Sequence, residues 1–215
     1  MSSSTKRIGL WAAAAAAIIG VFGLLIWVGG SLSDIDPIND RDWVRGNRNA
    51  PVVLTEYGDF QCPSCAAVYP YIKQAEKEFG DDLAVVFRQL PLSEIHNNAL
   101  PAAWAAEAAG KQGKFFEMHD ILYERQKFWE NEENPQEKFA SYAVDVLGLN
   151  KEQFLTDYQS ADVRNKVEDA RKEAEKNGIN STPTLFVNGK YVRTFVKSYE
   201  ELKPFISEAL EKERK

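Results

Sequence analysis

The two cysteines of this chain stand as Cys62-Pro63-Ser64-Cys65, between a stretch that reads as a β-strand and one that reads as an α-helix. All the thiol chemistry of the 215 residues is concentrated there. A pair so spaced can close into a disulfide and reopen, and its position demands a strand that feeds directly into a helix N-terminus. Pro51 to Tyr57 is β-branched and apolar without clean alternation, the pattern of a strand buried on both faces, and Gly58 and Asp59 close it. Cys62 to Phe79 turns helical, with Gly80 as its C-cap, and Leu83 to Leu90 reads as a second strand stopped by Pro91. Strand, helix and strand in that order predict a parallel βαβ unit.

Asn97 to Asn177 carries no strand pattern. Ala99–Ala109, Lys114–Phe128 and Glu137–Leu147 repeat apolar residues at helical spacing, Asn150 with Gln153 forms a capping box, and Ser160 opens a further helix ending at Asn177-Gly178. Strands resume at Thr184–Val187 and Tyr191–Thr194 across Asn188-Gly189, a hairpin signal, and Ser198 starts a closing amphipathic helix. The expectation is a small α/β sheet split by an all-helical insertion. Residues 44–96 and 179–215 form the sheet domain, and residues 97–178 form the insertion.

Ahead of it, residues 8–29 carry no charged side chain; as a helix they would run about 33 Å at ~1.5 Å per residue, enough to cross a bilayer. Lys6 and Arg7 precede the stretch and Asp34, Asp36 and Asp40 follow it. Residues 1–7 are therefore expected in the cytoplasm, and the chain beyond a linker at 30–43 outside. A cleaved signal peptide is the alternative, since Ser31-Leu32-Ser33 resembles a small-x-small site. Either reading exports the dithiol to where disulfides persist. The net charge of −6 argues against nucleic acid as a partner.

The attacking species in disulfide exchange is a thiolate, so a working cysteine needs its pKa pulled below about 8.5. Cys62 at a helix N-terminus faces unpaired N–H groups and the positive end of the helix dipole, and Pro63 suits the first helical position. Cys62 is therefore the expected nucleophile and Cys65 the resolving thiol. Half a zinc site is one competing reading, yet no third cysteine exists and His96 and His119 lack finger-like spacing. An inert disulfide would close too small a loop to constrain the unfolded chain much. Glu56, in an otherwise apolar strand, is expected beneath the dithiol, its pKa raised by burial, relaying a proton to or from Cys65. Thr182-Pro183, just before a strand, fits a cis bond that would offer the Thr182 backbone to a substrate strand. His96 reads as structural or capping, with a catalytic base as the alternative, and His119 as structural. Phe60 and Trp129 are candidates to line a peptide groove, with a place in the core as the alternative for most of the aromatics, which stand at helical spacing.

Together these segments resemble a DsbA-type thiol–disulfide oxidoreductase, a thioredoxin-like fold with an inserted helical domain. Glu56 through Cys65 matches that family's active-site strand and turn, Thr182 through Gly189 its cis-proline loop, and Pro70 its helix-kinking proline. The resemblance covers Val44 to Leu210. It implies a monomeric enzyme, membrane-anchored and extracytoplasmic, that needs no metal or organic cofactor. Its substrates would be exported proteins with free thiols, and a quinone-linked membrane oxidase would re-oxidise it. A reductase or isomerase of the same fold, and a tethered holdase with incidental cysteines, remain the alternatives. One position departs from the pattern: the strongly oxidising member has histidine where this chain has Ser64, whose hydroxyl can donate to the Cys62 thiolate but carries no charge.

Overall fold

The computed structural model describes residue 32 and residues 34–215. The expected anchor at residues 8–29 lies outside these, and among the described residues no helix is long and apolar enough to cross a membrane.

A five-stranded sheet forms the centre, in the order β1 (Trp43–Arg45), β3 (Leu83–Gln89), β2 (Val52–Gly58), β4 (Thr184–Val187), β5 (Lys190–Tyr191). β2 and β3 run parallel, joined by α1 (Pro63–Phe79), which is the βαβ unit that the sequence predicts. β4 pairs antiparallel with β2, and β5 returns against β4 through Asn188 (φ 47°) and Gly189 (φ 76°), the left-handed pair that a tight hairpin requires. Every residue of β2 and β3 is buried, so the missing alternation in their sequences reports cover on both faces.

One face, carrying Val52 and Leu54, packs on Val68, Ile72 and Ala75 of α1 and on Leu202, Ile206 and Leu210 of α7 (Tyr199–Glu213). The two-residue period of β2 puts Glu56 and Gly58 on this same α1 side. Between β3 and β4 the chain forms α2 (Ala99–Lys111), α3 (Phe115–Glu124), α4 (Pro135–Ser141), α5 (Lys151–Gln159) and α6 (Ala161–Lys176). Asn150 and Ser160 cap α5 and α6, accepting from Gln153 N (2.9 Å) and Val163 N (3.3 Å) as expected. The aromatic core of this insertion runs without a break into the active-site end of α1.

The largest departure from the sequence reading is at residues 35–43, inside the linker expected at 30–43. Ile35 N donates to Gly189 O (2.9 Å), and Pro37 O accepts from Thr55 Oγ1 (3.1 Å). Asp42 forms a buried pair with Arg88 (2.7 Å), which also donates to Tyr57 Oη (2.9 Å) and Asp36 O (2.8 Å). A guanidinium buried on the far face of the sheet requires a carboxylate, and this segment supplies it. β1 then adds an antiparallel edge to β3. From β1, Arg45 reaches Glu76 of α1 (3.2 Å) and Asp120 of α3 (2.6 Å), tying sheet, active-site helix and insertion together.

Candidate active site

Cys62 is the N-cap of α1, with Pro63 at the first helical position and no acidic residue in the first turn. Cys62 keeps 6% of its surface accessible and Cys65 none, so the expected nucleophile is the more open of two largely covered sulfurs. Cys62 Sγ lies 3.6 Å from Thr182 O, beside the cis Thr182-Pro183 bond. Hydrogen bonding from the Cys65 thiol, aided by the backbone N–H groups of Cys65 and Ser64, brings the Cys62 pKa down to about 5 against the opposing effect of burial. Ser64 thus acts through its backbone N–H rather than through the hydroxyl expected from the sequence. Burial pushes the Cys65 thiol well above the ordinary range, and the neighbouring Cys62 and Glu56 add to it.

Glu56 lies directly in this arrangement, 2% exposed, between Phe87 on β3 and Leu185 on β4 in the sheet register. Burial first, then the charge on Cys62, raises its pKa to about 8, while a hydrogen bond with Cys65 pulls the other way. At neutral pH the site therefore holds a thiolate at Cys62, a thiol at Cys65 and a protonated carboxyl beneath them.

The loop before Cys62 is fixed from all sides. The buried carboxylate of Asp59 accepts from Gln61 N (2.7 Å) and Leu92 N (3.0 Å) and meets His96 Nδ1 at 2.7 Å. Gln126, just past α3, donates to Phe60 O (2.7 Å) and Cys62 O (3.1 Å). Gln61 Oε1 accepts from Asn98 N (2.6 Å). A Cβ at Gly58 would run into the Phe87 ring and stand 3.0 Å from Tyr123 Oη. Gly58→Ala is accordingly expected to destabilise the fold by about 1–3 kcal/mol, the ordinary cost of overpacking, measurable by urea unfolding.

The family model described as Thioredoxin matches residues 39–208. This chain belongs to the thioredoxin family. Among solved structures, the thioredoxin fold with its helical insertion is shared with oxidised BdbD of Bacillus subtilis (TM-score 0.74, 26% identity, 85% of this chain and 100% of that one). Alpha-DsbA1 of Wolbachia pipientis (0.71, 18%, 82% and 94%) and MdbA, a thiol–disulfide oxidoreductase of Corynebacterium diphtheriae (0.63, 23%, 84% and 95%), share the same fold. The DsbA-type architecture inferred from the sequence is therefore the observed one. Among curated proteins, the Na(+)/H(+) antiporter NhaA 1 of Mycolicibacterium vanbaalenii is 40% identical over 193 residues, 85% of this chain and 30% of that protein. NhaA 1 of Mycolicibacterium gilvum is 44% identical over 161 residues, 74% and 25% respectively. The chain spans less than a third of the length of these relatives.

Within this thioredoxin-family frame Cys62, Cys65, Glu56, Pro63, Ser64, Thr182 and Pro183 converge on one site, and Pro70 lies inside α1. Phe60 does not line a groove: it is 1% exposed, stacks on Phe87 (4.8 Å) and lies tilted against Tyr123 and T-shaped to His119, because the insertion supplies an aromatic pocket for it. Trp129 is likewise wholly buried, donating to Leu122 O (2.9 Å). His96 braces Asp59, and His119 sits in the aromatic core with Nδ1 2.9 Å from Asp120 Oδ1, its pKa lowered by burial against the effect of that carboxylate. The sequence reading missed Asp59, Gln61, Asn98, Gln126 and Tyr123. Asp59 was read only as a turn former, and no local pattern marks the other four.

Proposed function

We propose that this protein oxidises thiol pairs in exported polypeptides by donating the Cys62–Cys65 disulfide. The observation that carries the reading is the divergence of the two sulfurs, one favoured as an anion at the helix N-terminus and the other buried over a protonated carboxyl. A thiolate stable at neutral pH lowers the free energy of the dithiol form, so electrons flow from substrate to protein. A substrate thiolate attacks Cys62 Sγ; the S–S bond to Cys65 breaks, and the departing Cys65 sulfur takes the Glu56 proton. A second substrate thiolate then attacks the substrate sulfur of the mixed disulfide and expels Cys62 as thiolate. Two thiols become one disulfide, and the protein is left as the dithiol. The groove beside Cys62, lined by Val68, Thr182, Pro183, Arg193, Phe195 and Val196, suits an extended substrate segment, with Thr182 meeting it.

The apolar residues 8–29 support a membrane tether with the dithiol on the outer side, and a membrane thiol oxidase linked to quinone would restore the disulfide there. Ion transport is not read onto this chain, since the antiporters it matches extend far beyond the shared stretch. The deciding experiment is the reduction potential of the pair on the full chain, equilibrated with glutathione. A value near about −120 mV supports disulfide donation, whereas one near about −270 mV would replace it with reduction. Ser64→His, which brings an imidazolium to the Cys62 thiolate, is expected to raise the potential by on the order of tens of millivolts. An unchanged value would remove position 64 from the tuning of Cys62.

A further inference from the structure

Among the described residues, three buried side-chain polar atoms have no hydrogen-bond partner: Glu56 Oε1, Thr182 Oγ1 and Tyr123 Oη. Buried polar atoms without partners are rare and costly, so a cluster of them at one site calls for a function. Glu56 and Thr182 are already placed in the exchange site. Tyr123 belongs to the insertion, and nothing so far has given its hydroxyl a task.

The ring of Tyr123 is held by Phe60 (centroids 5.1 Å apart), Tyr69 (5.5 Å) and His119 (5.0 Å), which leaves the hydroxyl a narrow range of positions. Its Oη lies over Gly58, 3.0 Å from where a Cβ would stand. Glu56 is the next residue along β2 whose side chain points to that same face. Glycine at position 58 leaves room for the Tyr123 hydroxyl, which a side chain there would meet. A phenol is protonated at neutral pH and so donates, and a carboxylate only accepts.

The geometry points to Tyr123 as a positioning residue for the proton of the exchange reaction: its hydroxyl donates to Glu56 when Glu56 has given its proton to Cys65. A small side-chain rotation or one bridging water molecule completes the bond. This rests on the exchange reading proposed above. The balance is simple. Glu56 loses a proton to the Cys65 sulfur as the S–S bond breaks, and Tyr123 keeps its own proton while stabilising the new carboxylate. The titratable groups facing Tyr123 are Glu56 on β2, Asp59 with its partner His96, Cys62, Cys65 and Tyr69 of α1, and His119 on its own helix. Glu56 exerts the largest charge effect on the phenol, whose pKa is raised well above its ordinary value chiefly by burial.

The test is the pH profile for oxidation of a dithiol peptide by the full chain, in the wild type, Tyr123→Phe and Glu56→Gln. Loss of the donor is expected to move the Glu56 inflection upward by about one pH unit, the size of one charge-assisted hydrogen bond, with thermal unfolding little changed. Site-specific replacement of Tyr123 by meta-fluorotyrosine, a stronger donor of nearly equal size, is expected to move it downward. That opposite shift also decides the matter if Tyr123→Phe folds poorly, because a packing role would not respond to phenol acidity. An inflection that Glu56→Gln abolishes but both Tyr123 replacements leave in place overturns the assignment while the exchange reading stands. A wild type that oxidises no peptide overturns both.

Discussion

Cys65→Ala leaves Cys62 covalently joined to its substrates. The first half of the exchange needs only an activated sulfur at position 62, which can be supplied by pre-forming a disulfide between Cys62 and a small thiol. The second half in the natural protein has an alternative, attack by Cys65 on the mixed disulfide, which returns a substrate that is not going to be oxidised. Removing Cys65 removes that intramolecular attack. Well-oriented intramolecular reactions enjoy effective concentrations far above any external thiol, so an adduct with a substrate that offers no second thiol is expected to live at least about 10³-fold longer. Non-reducing gels and mass spectrometry of the variant isolated from cells should show adducts that reductant dissolves. If Cys65→Ala collects none, and the Cys62→Ala, Cys65→Ala double variant keeps the cellular role, the dithiol is incidental and the holdase reading takes its place.

Glu56→Gln is expected to stabilise the protein and slow it at once. The wild-type carboxyl has a pKa of about 8 against an ordinary value of 4.5. Between these pH values the folded protein holds a proton that the unfolded chain has released, so stability falls as pH rises through the window and stays low above it. The span corresponds to on the order of a few kcal/mol. Cys62 works in the opposite sense. Its pKa of about 5, against an ordinary 9.0, makes the dithiol form gain stability as pH rises between the two. In the wild-type dithiol form the two slopes oppose each other. With Gln at position 56 only the cysteine slope remains, and urea unfolding of the reduced protein should show stability climbing from pH 5 to 9. In the disulfide form the variant should instead lose most of the pH dependence over this range. The catalytic cost is a Cys65 step slowed by about 10²-fold, the contribution of a well-placed general acid or base. Parallel wild-type and variant stability curves in both redox states would show that burial does not raise the Glu56 pKa, and an unslowed variant would show that Glu56 carries no proton.

Much of this site could be read in advance because its signals are local. The Cys62-Pro63 pair, Gly80 as a C-cap, the Asn150 and Ser160 caps and the Asn188-Gly189 turn are each decided by a few neighbouring residues. Glu56 was legible because a carboxyl in an apolar strand contradicts its surroundings. The pieces that escaped depend on contacts between distant parts of the chain. β1 is three residues long, too short for periodicity, and residues 35–42 look like a linker until the buried guanidinium of Arg88 shows what Asp42 is for. Phe60 stood beside the motif and so invited a substrate role. Its partners Tyr123 and His119 come from the insertion, and only the folded chain brings them together. Gln126 is an ordinary polar residue until its amide is found on the carbonyls of Phe60 and Cys62.

The ownership of those contacts bears on how such a site could be borrowed. Gln126, Asn98 and Tyr123 all arrive from the inserted helices, while the cysteines sit on the sheet domain. Transplanting residues 59–65 into a plain thioredoxin scaffold would carry the sulfurs and leave behind half of the mould that shapes them. The insertion is thus part of the reagent, and a designer who trims it for compactness would be editing the chemistry.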